Sequence, residues 1–142
     1  MPVNGPIIII EDDQDDQEII KEALLDVGVN NDIIFFDNGI DAMEDLKQRE
    51  QAPFFIICDV NLPKQDGIEF KRELDNHEEL RKKSIPFIFY TTYVSQYAVN
   101  EAYSNLTVQG FFHKSATYTE FRELIRLIVQ YWKLCRHPGA VS

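Results

Sequence analysis

The sequence has 142 residues, with 24 acidic side chains against 14 basic ones and a formal net charge of −10. This charge argues against binding of nucleic acid by charge alone and leaves room for a cation or a basic partner. No apolar run approaches the roughly 18 residues that span a membrane, and no signal peptide opens the chain, so we expect no membrane partner. Cys58 and Cys135 are too few for a disulfide framework, which makes a reducing cytoplasm the expected location.

Short apolar runs alternate with segments of helical period along the chain. The predicted strands are residues 7–10, 33–36, 53–58, 86–90 and 108–113. The predicted helices are a first one that ends near Gly28, and then about 40–48, 68–76, 95–104 and 118–135. Strands that alternate with helices predict an α/β protein with a parallel sheet covered on both faces. We expect a single domain over residues 1–135 and a short tail at 136–142.

The residues that carry chemistry stand where the predicted strands end. They are Glu11, Asp12, Asp59, Thr91, Thr92 and Lys114. Because such folds bind their ligands outside the carboxyl ends of the strands, we expect these side chains to meet at one edge of the sheet. Three carboxylates at short distance repel one another, and a divalent cation would neutralise them. A few oxygen ligands of this kind suit Mg²⁺.

Asp59 is the candidate nucleophile of this group. Beside a bound cation, its carboxylate can accept a phosphoryl group and form an acyl phosphate. Mg²⁺ would hold one phosphoryl oxygen and the Lys114 ammonium a second. The third oxygen would be bound by the Thr91 hydroxyl and the backbone N–H of Thr92. The sequence thus predicts transfer of a phosphoryl group to Asp59.

Four motifs, "IIIIEDD", "CDVNLPKQDG", "YTT" and "GFFHKS", resemble in order and spacing the receiver domain of two-component response regulators. The resemblance covers essentially the whole chain. It implies a three-layer, flavodoxin-like fold with five helices and strand order 2-1-3-4-5. It also implies a Mg²⁺ site formed by the acidic pair Glu11 and Asp12, the phosphoacceptor Asp59 and the backbone carbonyl of Asn61.

The same resemblance assigns the conformational switch. Thr91 matches the switch hydroxyl, Lys114 the lysine of the family, and Phe111 the aromatic residue that moves inward on activation. The family commonly has tyrosine where Phe111 stands, and a proline after the lysine where this chain has Ser115. Tyr93, two positions after Thr91, is expected to shield the acyl phosphate from water.

The resemblance implies a signalling switch rather than a multi-turnover enzyme. Its phosphodonor would be a sensor histidine kinase or a histidine phosphotransfer protein, and it would catalyse its own phosphorylation and slow dephosphorylation. No output domain follows within the sequence, so we expect a downstream protein effector in trans and no direct contact with nucleic acid. A pseudo-receiver that binds partners without phosphorylation is the alternative that stays open.

Three other functions fit the residues poorly. A phosphatase of the haloacid dehalogenase type needs an acid two residues after Asp59, and Asn61 stands there. A flavodoxin-like flavin site needs a phosphate loop after the first strand, where "EDDQDD" would repel a phosphate. A calcium loop of the EF-hand type needs glycine at its sixth position, and counting from Asp12 or Asp59 gives Gln17 or Lys64.

Two further features are open to a structural and a functional interpretation. Asp13, Asp15 and Asp16 are predicted to cap the first helix and to complement its dipole. The last helix carries two apolar stripes, one of them expected to face the sheet. These stripes are Phe121, Leu124, Ile125, Ile128 and Trp132, and beside them Leu127, Tyr131 and Leu134. The second stripe predicts either deeper burial, cover by the tail 136–142, or a partner or homodimer surface.

Overall fold

The computed structural model describes residues 2–92, 94–114 and 117–136. All five strands are parallel and lie in the order β2-β1-β3-β4-β5, so the predicted sheet and its order are confirmed. The strands are β1 Ile7–Ile10, β2 Ile33–Phe36, β3 Phe55–Cys58, β4 Phe87–Thr91 and β5 Gly110–His113. Thr91, predicted to follow the fourth strand, is its last residue.

Six α-helices connect and cover the strands in the described part of the chain. They are α1 Gln14–Asp26, α2 Gly39–Gln48, α3 Gly67–Asn76, α4 Glu78–Lys82, α5 Gln96–Asn105 and α6 Tyr118–Leu134. The prediction of five helices was wrong, because α4 went unrecognised. This helix has five residues, too few to display a helical period. His77 is its N-cap, and the His77 side chain accepts a hydrogen bond from the backbone N–H of Leu80.

The four isoleucines of β1 are fully buried because the sheet is covered on both faces. Successive side chains of a strand point to opposite faces. Ile7 and Ile9 therefore pack with α1 and α6, and Ile8 and Ile10 pack with α2, α3, α4 and α5. This double burial explains why the strand reads as a continuous apolar run rather than as an alternating one.

Three features of the sequence lie outside the described residues. They are Tyr93, Ser115 and the tail from residue 137 onward. Across the residues that the structure does describe, no helix combines the length and the apolar character needed to cross a membrane.

Candidate active site

The acidic site begins with the register of the two central strands. Ile10 pairs with Cys58, so Glu11 and Asp59 follow side by side at the carboxyl edge of the sheet. The backbone N–H of Asp59 donates to the carbonyl of Ile10 at 2.9 Å and extends this pairing. Both side chains are nearly buried, with 2 % of Glu11 and 6 % of Asp59 exposed.

Asp12 completes a group of three acids at this edge. One carboxylate oxygen from each of Glu11, Asp12 and Asp59 lies within 4.8 Å of the others. Asp12 is exposed, which opens the group to solvent. The oxygens of an octahedral Mg²⁺ site, at about 2.1 Å from the ion, lie about 3 to 4 Å from one another. The three acids therefore match Mg²⁺ in ligand type, and their spacing of up to 4.8 Å is slightly wider than such a site requires.

Lys114 follows β5 and reaches into this acidic group. Its Nζ lies 2.7 Å from Glu11 Oε1 and 3.1 Å from Asp59 Oδ2. Its backbone N–H donates to the carbonyl of Thr91 at 2.8 Å, which fixes the start of the chain after β5. The sequence therefore identified a lysine that does lie against the candidate nucleophile.

A third carboxylate, that of Asp16, also contacts the lysine. Asp16 Oδ2 lies 2.7 Å from Lys114 Nζ. The capping prediction holds for Asp13, whose side chain accepts the backbone N–H of Asp16 at 3.0 Å. The capping prediction did not include the ion pair between Asp16 and Lys114, which lie 98 positions apart in the sequence. The sequence signal for this contact was the predicted carboxyl edge of the sheet, because a helix that follows β1 begins beside the ends of the other strands.

Burial and charge shift two of these groups. Burial raises the pKa of Glu11 to about 7, and the charge of Asp59 adds to this, although the hydrogen bond from Lys114 opposes it. Burial opposes the charge of Lys114, but hydrogen bonds to Asp16 and Glu11 outweigh it and raise the pKa of the ammonium. Lys114 is thus held as a cation among acids that exceed it in number.

Cys58, directly before Asp59, is not a competing nucleophile. Its side chain is fully buried, and burial raises the pKa of the thiol well above its usual value, with the charges of Asp59 and Glu11 acting in the same direction. The uncharged thiol is a weak nucleophile. Its Sγ contacts the backbone carbonyl of Asp59 at 3.2 Å.

Asn61 connects the loop that carries Asp59 to the end of β4. Its backbone N–H donates to Asp59 Oδ1 at 3.1 Å, and its Nδ2 donates to Thr91 Oγ1 at 3.2 Å. Thr91 is 1 % exposed, whereas the neighbouring Thr92 is exposed. The structure thus brings Thr91 to the site through Asn61 and leaves Thr92 at the surface of the same edge.

Phe111, the predicted switch aromatic, lies on β5 on the same side of the sheet as α2–α5. It is half-buried and packs against that core, with its ring centroid 5.0 Å from that of Phe89. It stands two residues before the β5 partner of Thr91, His113. This arrangement places the aromatic ring and the threonine hydroxyl on adjacent strands.

Gly67 lets α3 approach the backbone of Asp59 closely. A Cβ atom at this position would lie 2.2 Å from the carbonyl oxygen of Asp59, which is a severe clash with backbone. Asp66 caps the helix, since its side chain accepts the backbone N–H of Glu69 at 2.8 Å. The first turn of α3 therefore supports the Asp59 loop directly.

Comparisons with known proteins agree with this geometry. A family model described as the response regulator receiver domain matches residues 7–126. Response regulator Rcp1 of a Synechocystis strain is 28% identical over 131 residues, which cover 89% of this chain and 87% of Rcp1.

Two solved structures are similar over nearly their full length. The phosphorylated cyanobacterial phytochrome response regulator RcpA has a TM-score of 0.84 at 27% identity and covers 96% of this chain and 99% of its own. The Mn²⁺-bound form of Rcp1 has a TM-score of 0.78 at 26% identity and covers 97% of both chains.

The chain belongs to the response regulator receiver domain family. Receiver domains are signalling switches of two-component systems rather than classical enzymes. They bind Mg²⁺ at an acidic site and interact with histidine kinases or phosphotransfer proteins.

Proposed function

We propose that this receiver domain accepts a phosphoryl group on Asp59 from a phosphohistidine of a sensor kinase or phosphotransfer protein, in a Mg²⁺-dependent reaction. The convergence on Asp59 carries the proposal. One of its carboxylate oxygens lies 3.1 Å from Lys114 Nζ, and the same carboxylate belongs to the acidic group with Glu11 and Asp12.

Each residue of the site has a role in this proposal. Glu11, Asp12 and Asp59 would hold Mg²⁺ with carboxylate oxygens, and Asn61 with its backbone carbonyl. The bound ion supplies positive charge between these acids and the anionic phosphoryl group. Lys114 already lies beside Asp59 Oδ2, so its ammonium can bind an oxygen of the phosphoryl group.

The transfer itself is a displacement at phosphorus. An Asp59 carboxylate oxygen forms the new P–O bond while the P–N bond to the donor imidazole breaks, and the imidazole nitrogen keeps the electron pair and takes a proton. The product is an acyl phosphate. Water later cleaves it slowly to inorganic phosphate and restores the carboxylate, which resets the switch.

Thr91 and Phe111 are proposed to transmit the modification. The Thr91 hydroxyl accepts a hydrogen bond from Asn61 at 3.2 Å. Its move to a phosphoryl oxygen, together with the N–H of Thr92, would exchange this bond for a charge-assisted one. Phe111, half-buried on the neighbouring strand, would fill the space that Thr91 leaves. A downstream protein would then recognise the altered surface of α5, β5 and α6.

Acetyl phosphate tests this proposal without a cognate kinase. The protein is incubated with acetyl phosphate and Mg²⁺, and intact-mass spectrometry measures the gain of one phosphoryl group. We expect a labile adduct on the parent and none on Asp59→Asn. Asp37→Asn is the matched control, because Asp37 is exposed directly after β2 at the same edge. An unmodified parent that still binds Mg²⁺ would favour the pseudo-receiver alternative.

The last helix supplies a candidate partner surface. Of the first predicted stripe, Phe121, Ile125, Ile128 and Trp132 are buried, and Leu124 is partly buried. The second stripe is exposed, by 52 % at Leu127, 65 % at Tyr131 and 87 % at Leu134. The alternative that the second stripe is buried is therefore wrong for the described residues. The alternative that the tail covers it concerns residues outside the described part of the chain.

These exposed side chains line a groove of about 820 Å³ between α6 and the start of β4 and β5. We propose a homodimer through this surface, because three large apolar side chains lie exposed along one face of α6, and contiguous exposed apolar patches mark contact surfaces. Sedimentation equilibrium would show mass rising with concentration, more strongly after addition of beryllofluoride. Leu127→Lys should abolish the rise, whereas Ile40→Lys, which changes an apolar residue of α2 with nearly the same exposure, should not. A strictly monomeric activated parent would rule the dimer out.

A further inference from the structure

Asp16 is an acid of the site that the proposed phosphoryl chemistry leaves without a role. It is the third residue of α1, and its side chain is 34 % exposed, whereas that of Lys114 is 11 % exposed. Its backbone N–H is bound by the Asp13 side chain at 3.0 Å. The helix cap therefore fixes the backbone from which the Asp16 carboxylate reaches the lysine.

The ammonium of Lys114 has three N–H bonds, and three carboxylates contact it. Glu11 and Asp16 lie at 2.7 Å and Asp59 at 3.1 Å. Glu11 and Asp59 also belong to the group of acids spaced to hold a metal ion, and Asp16 does not. When a metal ion occupies Glu11 and Asp59, Asp16 is therefore the one acid among these three that the lysine does not share with the metal.

We propose that Asp16 is the positioning residue of Lys114, which it holds beside Asp59 while the other two acids also serve the metal ion. The inference rests on the proposed function of Asp59. The lysine side chain is long and flexible and has many accessible rotamers. A fixed ion pair restricts that freedom, and the ammonium then meets the incoming phosphoryl group without a search for the correct rotamer.

The sign of the rate change separates this role from a simple charge effect. Asp16→Asn makes the site less negative, so charge alone predicts faster modification by the anionic acetyl phosphate. Loss of positioning predicts slower modification. We expect the rate at subsaturating acetyl phosphate and saturating Mg²⁺ to fall about 10-fold in Asp16→Asn, with partial recovery in Asp16→Glu. Asp15→Asn is the matched control, because Asp15 is an exposed acid of the same helical turn.

A double-mutant cycle shows whether the effect passes through the lysine. In a Lys114→Met background, Asp16→Asn should slow the reaction no further, since neighbouring groups that act as a unit are not additive. Additive losses, an equal loss in Asp15→Asn, or an unchanged or faster rate in Asp16→Asn would each overturn the proposal. Thermal denaturation of every variant separates these outcomes from a failure to fold.

A second readout needs no phosphodonor and so distinguishes this proposal from the proposed function. NMR relaxation of the Lys114 Cε methylene in the Mg²⁺-loaded protein reports the order of the side chain. We expect a lower order parameter in Asp16→Asn than in the parent and in Asp15→Asn. An unchanged order parameter would overturn the positioning role even if Asp59 is phosphorylated. A lowered one would support it even if acetyl phosphate leaves Asp59 unmodified.

Discussion

Two lysines with little exposure, the buried Lys71 on α3 and the partly buried Lys114 after β5, lie in contrasting surroundings. Lys71 is 2 % exposed, and its Nζ contacts Asp75 Oδ1 at 2.6 Å and Thr107 Oγ1 at 2.8 Å. The same ammonium lies 5.0 Å from the centroid of the Phe87 ring. One cation thus meets one carboxylate, one hydroxyl and one aromatic face, and the cluster has no excess charge.

The Lys114 cluster has a large excess of negative charge. Glu11, Asp16 and Asp59 contact its ammonium directly, and Asp12 lies beside them. Burial lowers the pKa of Lys71, against the pull of Asp75, whereas the surrounding acids raise the pKa of Lys114. Burial of a lysine therefore does not mark a functional site by itself. Uncompensated charge around it does, because further cations can bind there.

The largest effect is expected where the balanced cluster loses its anion. Asp75→Ala leaves the buried Lys71 ammonium without its carboxylate and should lower the free energy of unfolding by about 4 kcal/mol. Urea denaturation followed by circular dichroism measures this loss.

The double variant Lys71→Met/Asp75→Ala is the control for this loss. A methionine fills similar volume without a charge, so most of the lost stability should return. A loss below about 1 kcal/mol in Asp75→Ala, or no recovery in the double variant, would contradict the picture of a balanced pair.

The two clusters are joined by α3, which carries Lys71 and contacts the Asp59 loop at Gly67. Gly67→Ala forces a Cβ against the Asp59 carbonyl, and overpacking against backbone should cost about 3 kcal/mol of stability. Gly28→Ala is the matched control. Gly28 has φ +85° but no atom within 4 Å of an added Cβ, so strain of the backbone alone should cost about 1 kcal/mol. Equal losses of stability in the two variants would show that α3 can shift away from the Asp59 carbonyl to make room for the added Cβ.

Removal of one negative charge from the acidic cluster is expected to raise the free energy of unfolding rather than to lower it. Glu11→Gln in the presence of a chelator is expected to raise the free energy of unfolding by about 2 kcal/mol at pH 8, because ionised Glu11 is disfavoured by burial and by Asp59. Added Mg²⁺ should reverse the order, since it stabilises the parent more than a variant with one carboxylate fewer. If Glu11→Gln is instead less stable than the parent in chelator, the charge of Glu11 is compensated in the folded protein, as that of Asp75 is by Lys71.

The pH dependence checks the cause of this difference. Folded Glu11 keeps its proton to about pH 7, whereas an unperturbed glutamate releases it near 4.5. Between these values the folded state binds more protons, so the stability of the metal-free parent should fall as the pH rises through this window. Subtraction of the Glu11→Gln profile isolates the contribution of this one group. If the difference in stability between the parent and Glu11→Gln does not change with pH, Glu11 is not the group responsible.

The sheet and its edge could be predicted from the sequence because they depend on runs of residues. "IIII" and "FIIC" are continuous apolar strands, and chain alternation fixes which ends of the strands meet. Glu11, Asp12, Asp59 and Lys114 follow from that rule without knowledge of any rotamer. The short helix α4 does not follow, because its five residues carry too weak a pattern.

Both lysine clusters depend on contacts that no local pattern records. A lysine in an amphipathic helix is read as exposed, and only the position of Phe87 and Thr107 in space shows that Lys71 is buried. Asp16 has the same ambiguity, since a helix-capping acid and a partner of Lys114 look alike in sequence. Side-chain reach across elements separates the two, and it is known only from the structure.

The smallest expected effect tests the last partner of the balanced cluster. Thr107→Val removes the hydroxyl that accepts from Lys71 and contacts Asp75 Oδ1 at 2.8 Å, but it keeps the shape of the side chain. The backbone N–H of Thr107 still donates to Asp75 Oδ2. Two hydrogen bonds to charged groups are lost, but Thr107 is exposed and water can replace the hydroxyl, so stability should fall by only about 1 kcal/mol. Thr107→Ser retains the hydroxyl and should lose less. If valine proves neutral, the ion pair with Asp75 alone holds Lys71, and the hydroxyl only fills space.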